Sequence, residues 1–563
     1  MGSLKTSALM ELEIFNRYRF SFELIASAFF FTRSSCYEAR HRFKSSRSCL
    51  FLIIIIMRFP RILVSTTLVA FLSAPLSAQT DTTLAGARTY TLHDLLVAAL
   101  NTNLELQAKR IDPEIQDLRV DAARGEFVPN AIAAGNYSST ERPKTSQEQS
   151  SVSSIFGGTN DPILRDDLSR FQVGVAGKLP TGATYEAVTG LDEARNSYNQ
   201  FNSEFVAVST VSVTQPLLRD FGTTANLAEV RLQRKAATAS RFELQTVALR
   251  IIRDVANAYH EMVFAQENVT VKEEAVKVAQ DLVRENQRRY EEGRMAPIDV
   301  TQAQSRVAEA REELLLANNF LAQRRNLIVQ LTQDSFEFDQ VDIVVDRSFV
   351  IESAPGVDRD SALEDMFDLN PSYLGSIELT EAEDIRVAYA KNQRWPRVDL
   401  KASFGYNGLG KTMTRSYRNY WEREQPSWSA GLVVNYPIWD LTGNSRLEQA
   451  KKRKAQALLE LKRTEVVLLS AFDTATRDLD NAAQRIELVQ DSVRLAESAL
   501  DAELKRLASG LTTSFNVAQA QRDVSTARSR ALATRVDLNK AYTQLGFVLG
   551  TLARDLKVEI VAE

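Results

Sequence analysis

Apolar residues recur at every seventh position along two long stretches of the chain, and the two stretches share one phase. Val255, Met262, Val269, Val276, Val283 and Tyr290 form the first series, and one constant offset places Phe472, Leu479, Ile486, Val493, Leu500 and Leu507 on it. Beyond Gly293 the repeat resumes as Val300, Val307, Leu314, Leu321 and Ile328, matched beyond Gly510 by Val517, Val524, Ala531, Leu538 and Leu545. A sustained heptad predicts helices that wind around one another, and a glycine break between two runs folds them back as an antiparallel hairpin. The chain is therefore expected to carry two coiled-coil hairpins, with long helices over 222–292 and 443–509 and return helices over 297–334 and 514–552. Neither Gly nor Pro interrupts 223–292 or 444–509. At 1.5 Å per residue each run makes a rod of roughly 100 Å, a length suited to crossing the space between two membranes.

Ahead of each long helix the period changes to two. In the second copy Val398, Leu400, Ala402, Phe404 and Tyr406 alternate with Arg397, Asp399, Lys401, Ser403 and Gly405. After a polar loop dotted with aromatics, Trp428, Ala430, Leu432, Val434 and Tyr436 again share a face. Strands that are apolar on one face and charged on the other, with aromatics near their ends, suit a membrane β-barrel and equally a half-buried soluble sheet. The export signal and the helical rod favour the barrel. The first copy is longer here. Phe171, Val173, Val175 and Gly177 alternate, Leu179-Pro180-Thr181-Gly182 reads as a turn, and Tyr185, Ala187, Thr189 and Leu191 alternate again, so an additional hairpin is expected. The Ser-, Gln- and Gly-rich stretch 141–160 reads as an external loop. A shorter helix opens each copy, with an asparagine near its first turns (Asn103, Asn370) and a proline at its end (Pro129, Pro396). The repeats span 79–350 and 351–563, with β segments over 130–215 and 397–436 and the second short helix over 361–395.

Composition narrows the function. The 68 basic and 72 acidic side chains leave a net charge of −4, with no basic footprint for nucleic acid. Cys36 and Cys49 are the only cysteines, and His41, His93 and His260 are scattered, so no metal, redox or nucleophile constellation emerges. The chain reads as a non-enzyme without cofactor. From Met57 a basic start, the apolar run 62–72 and a small-residue site near Ala78 read as a signal peptide over 57–78, leaving 1–56 as an extension. No later apolar run is long enough for a transmembrane helix, so any spanning element must be made of strands.

Helix, strands, very long helix, glycine tip and returning helix, repeated behind a signal peptide, resemble the TolC-type outer-membrane efflux protein family. The resemblance covers residues 90–550 and is carried by the tip motifs 290–304 and 507–521 and the strand-to-helix signals at Pro216 and Pro437. It implies a homotrimer whose strands close one β-barrel in outer-membrane lipid above an α-helical barrel of twelve helical strands in the periplasm. It also implies a passive conduit gated at the tips, served by a periplasmic adaptor and an inner-membrane pump in efflux or type I secretion. Four strands per protomer are usual, and six here would give eighteen. Asp299 matches an aperture-locking aspartate whose usual partners fall on Leu507 and Thr512, and the family's acidic ring falls on Asn516 and Gln519. Both acids are amides here, which predicts weak cation block and an Asp299 held by Arg294 or Arg506. Asp299, Asn516 and Gln519 read alternatively as helix caps. Gly293 and Gly510 suit tight reversals, with Arg294 and Leu511 beside them as adaptor contacts. The competing reading is a periplasmic coiled-coil adaptor or scaffold without a pore.

Overall fold

The computed structural model describes residues 89–146, 163–196, 202–333, 343–423 and 425–560. The 1–56 extension, the 57–78 signal peptide and most of the 141–160 loop lie outside them. The first repeat runs β1 (Thr89–Tyr90), α1 (Leu92–Thr102), α2 (Leu104–Arg124), β2 (Asn130–Pro143), β3 (Ile163–Lys178), β4 (Thr184–Asn196), β5 (Glu204–Pro216), α3 (Ala228–Glu291), α4 (Pro297–Thr332) and β6 (Val344–Val345). The second runs α5 (Arg359–Leu369), α6 (Pro371–Asn392), β7 (Arg397–Gly410), α7 (Met413–Glu422), β8 (Pro426–Asn435), α8 (Leu441–Ala508) and α9 (Ser514–Leu549).

The heptads do what their spacing requires. Long helices α3 and α8 pair with return helices α4 and α9, and every residue of the four apolar series is buried or half-buried except Tyr290. Because α9 also packs on α3, the order abreast at the tip end is α4, α3, α9, α8. Nearer the strands α2 packs on α3, and α6 fits between α3 and α8. Four helices thus lie side by side at both levels.

The short helix expected over 361–395 is two helices, and so is its partner in the first copy. Asparagine makes the break. Asn103 accepts from the Leu106 amide at 3.1 Å while its own amide donates to Leu331 O, in the last turn of α4, at 3.0 Å. Asn370 accepts from Ser372 N and Tyr373 N and donates to Val548 O, near the end of α9, at 2.9 Å. One side chain caps a new helix and satisfies an orphan carbonyl of another, so α4 runs end to end into α2 and α9 into α6. The largest core lies at this joint, with Leu95, Leu96, Ile252, Met262 and Ile328 under the parallel β1–β6 pair. Met366, Phe472, Leu479 and Leu538 repeat it in the second copy.

The remaining strands form one sheet in the order β2-β3-β4-β5-β7-β8, antiparallel throughout. The additional hairpin, β3 and β4, is an integral part of it. The loop expected between β7 and β8 instead holds α7. Met413, Ser416, Tyr417 and Tyr420 recur at helical spacing, and Thr412 caps the first turn by accepting from Arg415 N at 3.3 Å.

Candidate functional site: a two-faced sheet and paired hairpin tips

Register sorts the six strands into two unlike faces. Ala131, Val175, Ala187, Val211, Phe404 and Trp428 stand opposite one another in a single row across the whole sheet. The next rows on that face bring Tyr185, Val213, Ala402 and Ala430 together, and then Ala133, Val173, Thr189, Ser209 and Tyr406, with the two hydroxyls bonded to each other at 2.7 Å. The alternate row reads Asn130, Ala176, Glu186, Ser212, Ser403 and Ser429. On this second face Arg170 pairs with Asp192 across strands at 2.9 Å, and the Ser403 and Ser429 hydroxyls lie 2.8 Å apart. Apolar side chains such as Phe171, Phe404, Leu432 and Trp428 remain exposed, Trp428 at 75%. A water-soluble sheet would bury that face, whereas lipid is its proper solvent.

The sheet is also open. Among the described strands β2 and β8 each have a neighbour on one side only, so they are the two edges of the sheet. Apolar stripes on the outermost helices mirror this. Ile111, Ile115 and Leu118 on α2 and Leu315 and Leu316 on α4 lie exposed at one edge of the helical layer, with Leu459, Val466, Leu488 and Leu495 on α8 at the other. No described helix is long and apolar enough to cross a membrane.

At the far end of the rods both tips turn the same way. Gly293 and Gly510 sit at φ 73° and 72°, and the following amides reach back five residues, Arg294 to Arg289 O at 2.8 Å and Leu511 to Arg506 O at 2.9 Å. This closure requires a left-handed residue after the helix, which glycine adopts without strain. The next helices begin at Ala296 and Thr513 as N-caps, so Asp299 and Asn516 are third residues of their helices and Gln519 lies deeper. None of the three is a cap. Nor is Asp299 held by Arg294 or Arg506 within the protomer, because those cations pair with Glu292 (3.5 Å) and Glu503 (2.6 Å). Asn516 donates to Thr512 Oγ1 at 3.0 Å, Thr512 donates to Glu503 at 2.8 Å, and Gln519 donates to Asp523 at 2.9 Å. Leu507 packs with Leu282, Val517 and Ala518.

The contact between the two tips uses residues that heptad reading passes over. Asn286, fully buried on α3, accepts from the Ser514 hydroxyl at 3.0 Å and donates to Asp299 O at 3.4 Å, while Arg289 donates to Leu507 O at 3.1 Å. An asparagine at the end of a heptad series was the available signal. Further up the rods Lys272, Arg528 and Ser529 join the hairpins through Ser525 (3.3 Å), Glu274 (3.0 Å) and Asn268 (2.8 Å). Glu261 binds both Lys540 and Arg324. Burial pushes its carboxyl up, but these two cations outweigh burial and hold it below the usual range. Beside it His260 is fully buried against Phe349 with neither ring nitrogen bonded to a described residue, and burial lowers its pKa to about 4.

A sheet with a lipid-type face, continuing into a rod of paired helices, defines the class of outer-membrane channels with a periplasmic extension. Comparison with known proteins makes the class specific, because the family described as outer membrane efflux protein matches residues 183–332 and 379–551, more than half of the chain. The chain belongs to that family, and its place is the outer membrane with the helices extending into the periplasm. It is 24% identical over 330 residues to the pyoverdine export outer membrane protein OpmQ of Pseudomonas aeruginosa strain PAO1, a match spanning 57% of this chain and 66% of that protein. Among solved structures it is similar in fold to the outer-membrane channel OprN, with TM-score 0.61 and 16% identity over 82% of this chain and 90% of that one. A second likeness is to the open state of the Neisseria gonorrhoeae MtrE outer membrane channel, with TM-score 0.57 and 16% identity over 84% and 95%.

Proposed function

We propose that three copies of this chain close into one passive efflux conduit, with an eighteen-stranded barrel in the outer membrane above a ring of twelve helices in the periplasm. The observation that carries this reading is the open edge. Six strands with an apolar face and two unpaired margins are unsatisfied in lipid, and joining β8 of one copy to β2 of the next satisfies all of them at once. Three protomers of six strands then give eighteen. The same rotation brings the exposed stripe of α8 against α2 and α4 of the neighbour. At ordinary strand spacing and tilt, eighteen strands make a barrel roughly 36 Å across between backbones, against roughly 24 Å for twelve. The polar face then lines a water-filled lumen.

The tips converge as the aperture. Asn286, Ser514 and Arg289 hold the two hairpins of a protomer together there, and Asp299, Asn516, Gln519, Leu507 and Thr512 surround that contact. The exposed turns at Gly293, Arg294, Gly510 and Leu511 are the surface offered to a periplasmic adaptor, which couples the conduit to an inner-membrane pump in a tripartite or type I system. Amides at Asn516 and Gln519 attract cations weakly, so millimolar divalent cations leave the pore conducting. Imaging of the detergent-purified protein tests the assembly. A three-fold particle with eighteen strands is expected, whereas a soluble monomer released by salt washing overturns the reading and favours a poreless scaffold.

A further inference from the structure

Helix α7 lies on the apolar face of the sheet. Gly408 and Gly410 belong to the same face as Phe404 and Tyr406, and a Cβ on either would stand 2.4 Å from the backbone of Ser416. Ser416 is fully buried. Its hydroxyl accepts from Ala207 N at 2.7 Å and donates to Gly408 O at 2.6 Å, bridging two residues that the register sets opposite each other, and Asn419 donates to Leu409 O at 2.7 Å. The helix is thus fastened flat against β5 and β7, immediately beyond the Tyr406 row. The opposite strand ends lead into the periplasmic helices, so α7 occupies the outer-leaflet border of the apolar belt.

What the helix turns away from the sheet is cationic and aromatic. Lys411, Arg415, Arg418 and Arg423 are exposed, and none forms an ion pair with a described residue. Arg423 lies 6.0 Å over the Tyr406 ring, and Trp421 is 69% exposed beside Tyr420. Glu422 and Glu424 offset only part of this charge. A tryptophan and tyrosines beside guanidinium groups that no described acid pairs, on an amphipathic helix at the border of the apolar belt, match anionic headgroups on the lipid side and water on the other.

We propose that α7 is a lipid-binding collar whose Lys411, Arg415, Arg418 and Arg423 hold the phosphate groups of outer-leaflet lipids against the outside of the barrel. This rests on the reading that the apolar face meets lipid. The test reconstitutes the purified full-length protein in phosphatidylcholine nanodiscs with and without lipid A and counts retained glycolipid by native mass spectrometry. Lipid A should stay with the protein, and its dephosphorylated form should not. The K411Q/R415Q/R418Q/R423Q variant should lose at least about tenfold in lipid A affinity, given roughly a factor of five per surface cation before screening. Equal retention by the variant, or equal retention of the dephosphorylated lipid, overturns the collar. Conductance in pure phosphatidylcholine separates the two readings. Pores from parent and variant alike with unchanged lipid A retention sink the collar alone, while the absence of any pore from the parent sinks the barrel and the collar together.

Discussion

The two repeats share one plan of long and short helices and differ in what they give the six-stranded sheet, four strands from the first and two from the second. Helices packed abreast through a heptad seam tolerate little insertion, because each added residue rotates the apolar stripe by about 100° and ruins every contact beyond it. An antiparallel sheet has no such memory. A hairpin inserted between β2 and β5 returns the chain with the same direction and the same face, so an even number of strands enters without disturbing either neighbour. The duplication is strict where packing couples every turn and loose where only face and direction matter.

Removing the difference gives the largest effect. Deleting 147–201, so that 146 joins 202, leaves each repeat two strands of the sheet, and imaging should count twelve strands where the parent has eighteen, with the barrel narrowed by about a third. Retention of the parent diameter would break the comparison. Next come the seams. Met262 and Leu479 occupy the same heptad position and are both fully buried, so Met262→Ala and Leu479→Ala should each cost about 2–5 kcal/mol in denaturant unfolding. A loss confined to one copy would show that the repeats are not energetically equivalent.

The histidine sharpens the contrast, since the second copy has Arg477, paired with Asp473 at 2.8 Å, where the first buries His260. The folded pKa of His260, about 4, lies below the unfolded value of 6.5. The unfolded chain therefore takes up the proton first, and stability should fall as pH drops from about 6.5 toward 4, by at most about 3 kcal/mol. Melting curves of His260→Leu should lose this slope, whereas Arg477→Leu should keep it.

Smaller effects are expected at the tips. Position 286 is asparagine in the first copy and Glu503 in the second, and only Asn286 reaches across to the other hairpin. Asn286→Ala should cost about 1–3 kcal/mol by leaving Ser514 buried without its acceptor, and should raise the resting leak in planar-bilayer recordings. Glu503→Ala, which disturbs only its own hairpin, should leak less. Asp299→Ala removes a carboxylate that no described cation pairs, so a rise in conductance would place its partner on a neighbouring copy. Gly293→Ala and Gly510→Ala should each cost about 1 kcal/mol, because a Cβ meets nothing there and only the left-handed backbone is strained.

Periodicity and two glycine breaks determined the duplicated hairpins, their tips and the alternating strands, since each follows from residues near one another along the chain, and the repeated order of these elements carried the resemblance to the family. The same local logic held a signal for α7, in the spacing of Met413, Ser416, Tyr417 and Tyr420, but polar loop composition hid it. Tertiary structure alone decided that Asn103 and Asn370 splice return helices onto short ones, that Asn286 and not Asp299 ties the tips of a protomer, and that the additional hairpin lies within the sheet. Those outcomes depend on groups that meet from positions far apart in the chain, and a pattern of apolar residues specifies which face is buried without naming the polar partner found there.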